Sequence, residues 1–241
     1  MSTSGSTNFS TDRNTIIESA YRIAGITAEG EVPTTDQYTY GATALNMMVK
    51  AFQIDGMPLW AIKSYSIDLT LSSASYRIGN GETVDTPKPL KIIQAFNHNT
   101  STNIDIPMRI LTRDEYNRLG NKTITGNPIQ FYYDPQNSYG DLYVFPTADA
   151  NAVSYNQIKI FYQRPFEDFD ASTDEPDFPQ EWYEAVTWGL AYRLAAEYQM
   201  PILHRQSLKK DADEFRALAL SFGTEEGSLF VRPDYRYGSQ D

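Results

Sequence analysis

The chain has no cysteine, which excludes a disulfide framework and any thiolate metal site and leaves the redox compartment unread. Histidine is nearly as scarce. His98 falls in the polar stretch Asn97-His-Asn-Thr, expected to be a turn, and His204 stands beside Arg205 at the start of an expected helix. Neither has metal-ligand spacing or a nucleophile partner. Basic residues are outnumbered, 20 Lys and Arg against 31 Asp and Glu, for a formal charge of -11 over 241 residues. A surface that grips phosphate backbones by counterion release needs clustered Lys and Arg, so sequence-specific nucleic-acid binding is not expected. No apolar stretch is long and uninterrupted enough to predict a membrane span, and no membrane association is expected. The opening Met-Ser-Thr-Ser-Gly-Ser-Thr lacks a basic and an apolar segment, so an ordinary secretory signal is not expected there, and synthesis in a cytoplasm is.

Against these absences stands one conspicuous helix. Asp177-Phe-Pro-Gln-Glu-Trp-Tyr-Glu-Ala-Val-Thr-Trp-Gly-Leu-Ala-Tyr-Arg-Leu-Ala-Ala-Glu-Tyr-Gln-Met200, closed by Pro201, reads as a single segment. Pro179 suits a first turn, where a missing N–H is tolerated, Asp177 can cap the free amides, and Pro201 opposes continuation. Between Ala185 and Ala196 the only charge is Arg193, and Trp182, Val186, Trp188, Leu190, Tyr192 and Leu194 leave no purely polar face. A helix apolar around most of its circumference has to be covered on several sides. Its own domain can do this and a neighbouring subunit can add to it, so Trp182, Trp188 and Tyr192 are assigned to a core or subunit-interface helix. The acidic run before it, Glu167 to Glu184 without a basic residue, reads as a solvated loop leading into the positive end of a helix dipole.

Helical periodicity marks both ends of the chain, and a period of two marks the middle. A first helix is predicted from Asp12 to Ala24, capped by Ser10 or Thr11, with Ile16, Ile17, Ala20, Ile23 and Ala24 in its apolar stripe and Gly25 as its stop. A second starts at Thr34 or Thr35, carries Tyr38, Ala42, Leu45, Met48, Val49 and Phe52 at helical spacing, and ends before Gly56 and Pro58. From Lys63 onward, Tyr65, Ile67, Leu69 and Leu71 alternate with polar residues as in a half-buried strand. Further strands are predicted at Ser75–Ile78, Leu90–Asn97, Ile104–Leu111, Ile129–Asp134, Leu142–Phe145 and Asn156–Gln163. Thr112 and Glu115 have capping-box spacing for a short helix reaching Leu119. Gly79-Asn-Gly81 reads as a hairpin turn, and Asp134-Pro-Gln-Asn-Ser-Tyr-Gly140 as a hairpin loop. The last helix is predicted from Ile202 to Phe222, stopped by Gly223. The fold class is therefore α+β: a flexible N-terminus at 1–10, a four-helix core from 11–62 and 165–222, a β-rich insertion domain at 63–164, and an extended C-terminal tail at 223–241.

Three functional classes compete for this plan. Glycoside hydrolysis needs two carboxylates roughly 5 to 9.5 Å apart, and 31 acidic residues supply such pairs by chance. Glu29 and Glu31 flanking Gly30 form the most enzyme-like loop, yet the same residues suit a solvated turn between helices. Gly79-Asn-Gly81 lacks the third glycine and following helix of a phosphate loop. A soluble binding module is a second class, and a component of a larger assembly is a third.

The third class is favoured by a resemblance. Thr15-Ile-Ile-Glu-Ser-Ala-Tyr-Arg-Ile-Ala-Gly-Ile26, Gly30-Glu-Val-Pro, Ala44-Leu-Asn-Met-Met-Val-Lys-Ala-Phe52 and Pro58-Leu-Trp60 open the chain in the order seen in head-to-tail adaptor proteins of short-tailed bacteriophages, also called tail-accessory or packaged-DNA-stabilising proteins. Gly126-Asn-Pro-Ile-Gln-Phe-Tyr-Tyr-Asp-Pro-Gln136, Leu142-Tyr-Val-Phe-Pro146 and Phe178 to Ala195 are similar to later segments of that family. The resemblance covers Thr11 to Phe222 and rests on the order of segments rather than on one motif. It implies a structural virion protein at the head-tail junction and no enzyme. It also implies a homo-oligomeric ring, a dodecamer of about twelve copies, set beneath the portal protein after DNA packaging. There it would retain the genome and offer a platform to tail nozzle or hub proteins and possible fibres or spikes. DNA would pass through the channel without sequence-specific binding, and no cofactor is implied. The alternative is a tail-associated peptidoglycan-degrading glycosidase.

Two further segments are expected to make contacts. In the tail, Leu229, Phe230, Val231, Tyr235 and Tyr237 supply apolar anchors and Arg232 and Arg236 planar donors, a composition suited to ordering on the portal surface. Gln136, Asn137 and Tyr139 stand in the expected hairpin loop as a tail-protein contact.

Overall fold

The computed structural model describes residues 5–7, 9–54 and 59–223, and they form an α+β fold. Helix α1 spans Arg13–Ile23 and α2 spans Thr35–Phe52. A 3₁₀ turn at Leu59–Ala61 leads into strand β1, Ile62–Asp68. The middle of the chain continues through β2 (Ser75–Gly79), β3 (Val84–Asp85), β4 (Lys91–Asn99), β5 (Ile104–Pro107), β6 (Arg109–Ile110), α3 (Arg113–Asn117), β7 (Thr125–Gly126), β8 (Gln130–Pro135), β9 (Gly140–Phe145), β10 (Thr147–Ala148), α4 (Ala150–Tyr155) and β11 (Asn156–Gln163). A 3₁₀ turn, Gln180–Trp182, precedes α5 (Tyr183–Glu197), and α6 runs over Ile202–Phe222.

Helix α5 is apolar on several sides because α1, α2 and α6 all pack on it. Val186, Leu190, Ala191, Leu194 and Ala195 are fully buried with Ile17, Tyr21, Leu45 and Met48. Gly189 permits α2 to approach α5 closely: a Cβ there would stand 2.9 Å from the Met48 sulfur. Helices α2 and α6 both run antiparallel to α5. At one end, Tyr21 donates its hydroxyl to Gln37 O (2.9 Å) and its ring meets Tyr198 edge-on, while His204 Nε2 lies 3.1 Å from Ala24 O. At the other end Phe52 packs on Trp182, and Trp188 on Phe215.

The N-terminal boundary of α1 differs from expectation by one cap. Ser10 donates instead to Glu175 (2.9 Å), and Asp12 accepts from Thr15 N–H at 2.7 Å. These amide bonds hold the Asp12 carboxyl below its ordinary value of 3.8. Replacing Asp12 with Ala is expected to cost about 1 kcal/mol at neutral pH. A group with a lowered folded pKa stabilises above its unfolded value, and that share is lost as pH falls through the folded one. The difference between melts of wild type and Asp12→Ala should therefore shrink as pH falls below 3.8 and through the lower folded-state value.

The strands form two principal sheets. One has the order β1-β11-β4-β5 and is antiparallel throughout, with a bulge at Phe161/Tyr162. The other has the order β3-β2-β9-β8-β6, antiparallel at its centre with short parallel edges. Ile67, Ile92, Ile158 and Ile160 of the first share one buried cluster with Tyr76, Ile78, Phe131, Leu142 and Val144 of the second.

Several expected elements change here. Strand β1 ends at Asp68 although Leu69 is still buried, and the chain then turns, Ser73 N–H bonding back to Thr70 O and Ser72 having positive φ, which leaves Leu71 exposed. The strand expected from Ile104 to Leu111 divides at buried Met108, where the chain passes from one sheet to the other. Strand β4 continues past Asn97, so His98 and Asn99 belong to it rather than to a turn, and His98 Nδ1 meets Asp105 Oδ1 across the strands at 2.6 Å. Gly79 to Glu82 closes a turn, yet Val84–Asp85 returns parallel to β2, so it is not a hairpin. Helix α4 was not expected, although Asp149 caps it through Ala152 N–H.

Candidate interaction surfaces

The joint between helices and sheets is built from residues far apart in sequence. Strands β1 and β11 leave it side by side, with Arg164 N–H bonded to Ala61 O at 3.0 Å. Trp60 stacks on Phe166 with centroids 4.8 Å apart and meets Trp182 edge-on at 6.0 Å. Arg164 lies over the Trp60 ring and forms a two-pronged pair with Asp177, its Nη2 donating at 2.8 Å. Asp177 also accepts from Glu167 N–H, 3.0 Å. It therefore does not cap the helix as expected, and the segment begins as the 3₁₀ turn instead, with Pro179 before it and no side-chain cap. A bidentate, partly buried carboxylate pair fixes orientation as well as distance.

The acidic run is likewise wired rather than simply solvated. Lys50 donates to Phe166 O (2.6 Å) and pairs with Asp168 (2.7 Å). Asn46 and the Phe169 backbone exchange two hydrogen bonds, 2.9 and 3.2 Å. Asp174 accepts from Asp170 and Ala171 N–H, and its own carbonyl receives Arg13 N–H. Phe166, Phe169 and Phe178 thereby sit in the helical core. Lys50, Asn46 and Arg164 escaped sequence reading; the spaced phenylalanines within an acidic stretch were the available signal.

Of the residues assigned to the apolar helix, Trp182 is buried in the 3₁₀ turn before α5, and Trp188 and Tyr192 of α5 are half-buried against the same core. In the 134–140 hairpin loop, Gln136 N–H bonds to Tyr139 O at 2.8 Å, and Lys88 Nζ reaches the carbonyls of Gln136 and Asn137 at 2.6 and 3.2 Å. Arg77 covers the Tyr139 ring at 4.1 Å and pairs with Asp141 at 3.1 Å, which raises its pKa. Gly140 is required at the loop's end, because a Cβ there would come within 2.1 Å of the Tyr133 hydroxyl. That hydroxyl donates to Pro89 O, and burial pushes its pKa up. The loop is thus tied down, with Asn137 and Ser138 exposed at its tip.

Leu229, Phe230, Val231, Arg232, Tyr235, Arg236 and Tyr237 lie outside the described residues. The Glu31 carboxylate, singled out beside Glu29, accepts from Ala28 N–H at 3.1 Å and closes its own turn. Among the described residues, no cluster of His, Asp and Glu is arranged to hold a metal ion, and no helix is long and apolar enough to cross a membrane.

No curated protein matches the chain. The model of one family, the SU10 adaptor protein, matches residues 19–228, a span that runs from the second half of α1 through α6 and takes in every strand of both sheets. This is the match expected from the adaptor resemblance of the motifs, and over that length it establishes that the chain belongs to the SU10 adaptor protein family.

Proposed function

We propose that this chain is a structural head-to-tail adaptor of the phage virion, forming a ring of about twelve copies below the portal, retaining packaged DNA and receiving the tail. The family match carries the reading, because it covers the helices and the β-rich part together. In this reading 11–62 and 165–222 form the helical body, 63–164 is an inserted β domain, and 223–241 is an extended arm that orders on the portal. The 136–140 loop meets tail nozzle or hub proteins. The clamped joint at Arg164 and Asp177 supports this division, since it would hold two contact regions at a set angle. A charge of -11 suits a conduit, because a wall rich in Lys and Arg would hold passing phosphates.

The test is assembly on purified portal. Alone, the chain is expected to sediment as a monomer at micromolar concentration; with portal it should form a ring visible in particle images. Shortening Gln136–Gly140 should leave the ring and abolish tail-protein attachment. Absence of any portal complex, or loss of turbidity when the chain is added to purified cell walls, would replace the adaptor reading, the latter with the glycosidase.

A further inference from the structure

The first sheet ends in two open edges. Among the described residues, β1 pairs only with β11 and β5 only with β4. The bond from Arg164 N–H to Ala61 O fixes the phase of β1, so the amides and carbonyls of Ser64 and Ser66 point away from the sheet. On β5, the bond from Met108 N–H to Ala95 O leaves the Asp105 N–H and C=O and the Pro107 C=O outward by the same rule. Ser64, Ser66 and all of β5 are exposed. The other sheet ends in β3 and β6, which are two residues each and offer no comparable row.

Side chains and strand directions of the two edges match. Ile106 aligns across the sheet with Asn97 and Ile158, both buried, yet it is 53% exposed because no strand follows β5. Tyr65 holds the corresponding place on β1, half-buried on the same side of the sheet beside Ile160. Asp105 lies on the opposite side, held by His98 at 2.6 Å and Lys159 at 3.7 Å. All three pairings in this sheet are antiparallel, so β1 and β5 run in opposite directions. A rotation about an axis along the strands therefore brings β1 of one copy antiparallel to β5 of the next.

From this we infer that β5 of one copy pairs with β1 of the next and carries the sheet from subunit to subunit around the ring. Asp105 exchanges two main-chain hydrogen bonds with Ser66 of the next copy. Ser64 N–H of that copy donates to Pro107 O, and its Tyr65 covers Ile106. An open row of main-chain groups is a template for another extended strand, and because the two edges differ, the join repeats from copy to copy and can close. Pro107 has no N–H to answer the Ser64 carbonyl, so the pairing stops after these three bonds. So short a join buries far less than the roughly 1,000 Å² of a lasting interface. Free copies accordingly stay apart, and the strands pair only where the portal sets copies side by side. The inference rests on the ring reading above and names the strands that would join its subunits.

Because the chain has no cysteine, introduced thiols are the only ones present. In the proposed register Tyr65 and Ile106 form a non-hydrogen-bonded pair, whose Cα atoms stand about 4.5 Å apart, within the span that a disulfide bridges. A Tyr65→Cys, Ile106→Cys double variant, assembled on portal and oxidised with copper phenanthroline, should give a ladder of multimers on a non-reducing gel. Each single variant should remain monomeric on that gel. Rings seen by imaging without a ladder would overturn the pairing and leave the ring reading standing, and so would dimers from Ile106→Cys alone, which would indicate a two-fold contact. No ring on the portal from the wild-type chain would overturn the ring reading, and the pairing with it. As a second readout, Ser66→Pro removes an outward N–H that the β1–β11 ladder does not use, as edge strands tolerate. It should keep the circular dichroism spectrum of the wild type and abolish ring formation on portal. A folded Ser66→Pro chain that forms rings at the wild-type level would overturn the pairing. If that variant fails to fold, the ladder alone decides.

Discussion

Cutting the chain after Phe222 is expected to leave the isolated protein folded and to weaken portal binding by more than about 100-fold. Helix α6 closes by itself, Gly223 N–H bonding to Leu220 O at 3.1 Å, and Leu220 packs on the helical core, so the cut falls beyond the packed helix. The removed segment carries Leu229, Phe230, Val231, Tyr235 and Tyr237 with Arg232 and Arg236. One aromatic or arginine anchor typically costs about 2 kcal/mol on truncation, so losing several together exceeds a hundred-fold change. Circular dichroism and portal pull-down of the truncated chain read the two outcomes separately. A truncated chain that binds portal at the wild-type level eliminates the anchor and leaves the ring to be held by other contacts.

Trp182→Ala is expected to destabilise the isolated chain by about 3–5 kcal/mol, a fall of roughly 6–20 °C in Tm for a chain of this size. The side chain is only 4% exposed and joins Phe52 of α2 to Trp60 at the entrance to β1. Its loss opens a cavity where the helical body meets the sheets, so the two parts should also become easier to cleave apart by limited proteolysis. The same variant decides between core and subunit interface for this residue. An unchanged melting temperature combined with lost ring assembly would place Trp182 between copies.

Local signals were legible where a residue's role is settled within one turn of the chain. The Thr112 capping box forms as its spacing predicts, Thr34 caps the start of α2, and α6 ends at Gly223 as expected. The alternating core strands β8, β9 and β11 were likewise visible as period-two patterns. What failed locally failed where a distant partner competed. Asp177 is chemically a fine cap, but Arg164, thirteen residues earlier, offers it a two-pronged charged partner and draws it away from the helix start. Met108 looks like the middle of one strand until two sheets must share a core, and then its burial makes it the crossing point between them.

By itself, the sequence determined the α+β class, the helical ends with strands between them, and the resemblance that the family match over 19–228 bore out. These depend on periodicity, capping and segment order, which are properties of neighbouring residues. Only the tertiary structure decided how Trp60, Arg164, Phe166, Asp177 and Trp182 meet in one joint, and that Asn46 and Lys50 tie down the acidic loop. It also decided which apolar side of α2 and α6 stays bare. An amphipathic pattern states that a face will be buried, but which elements cover it depends on the directions in which distant segments pack, and no local spacing contains that information.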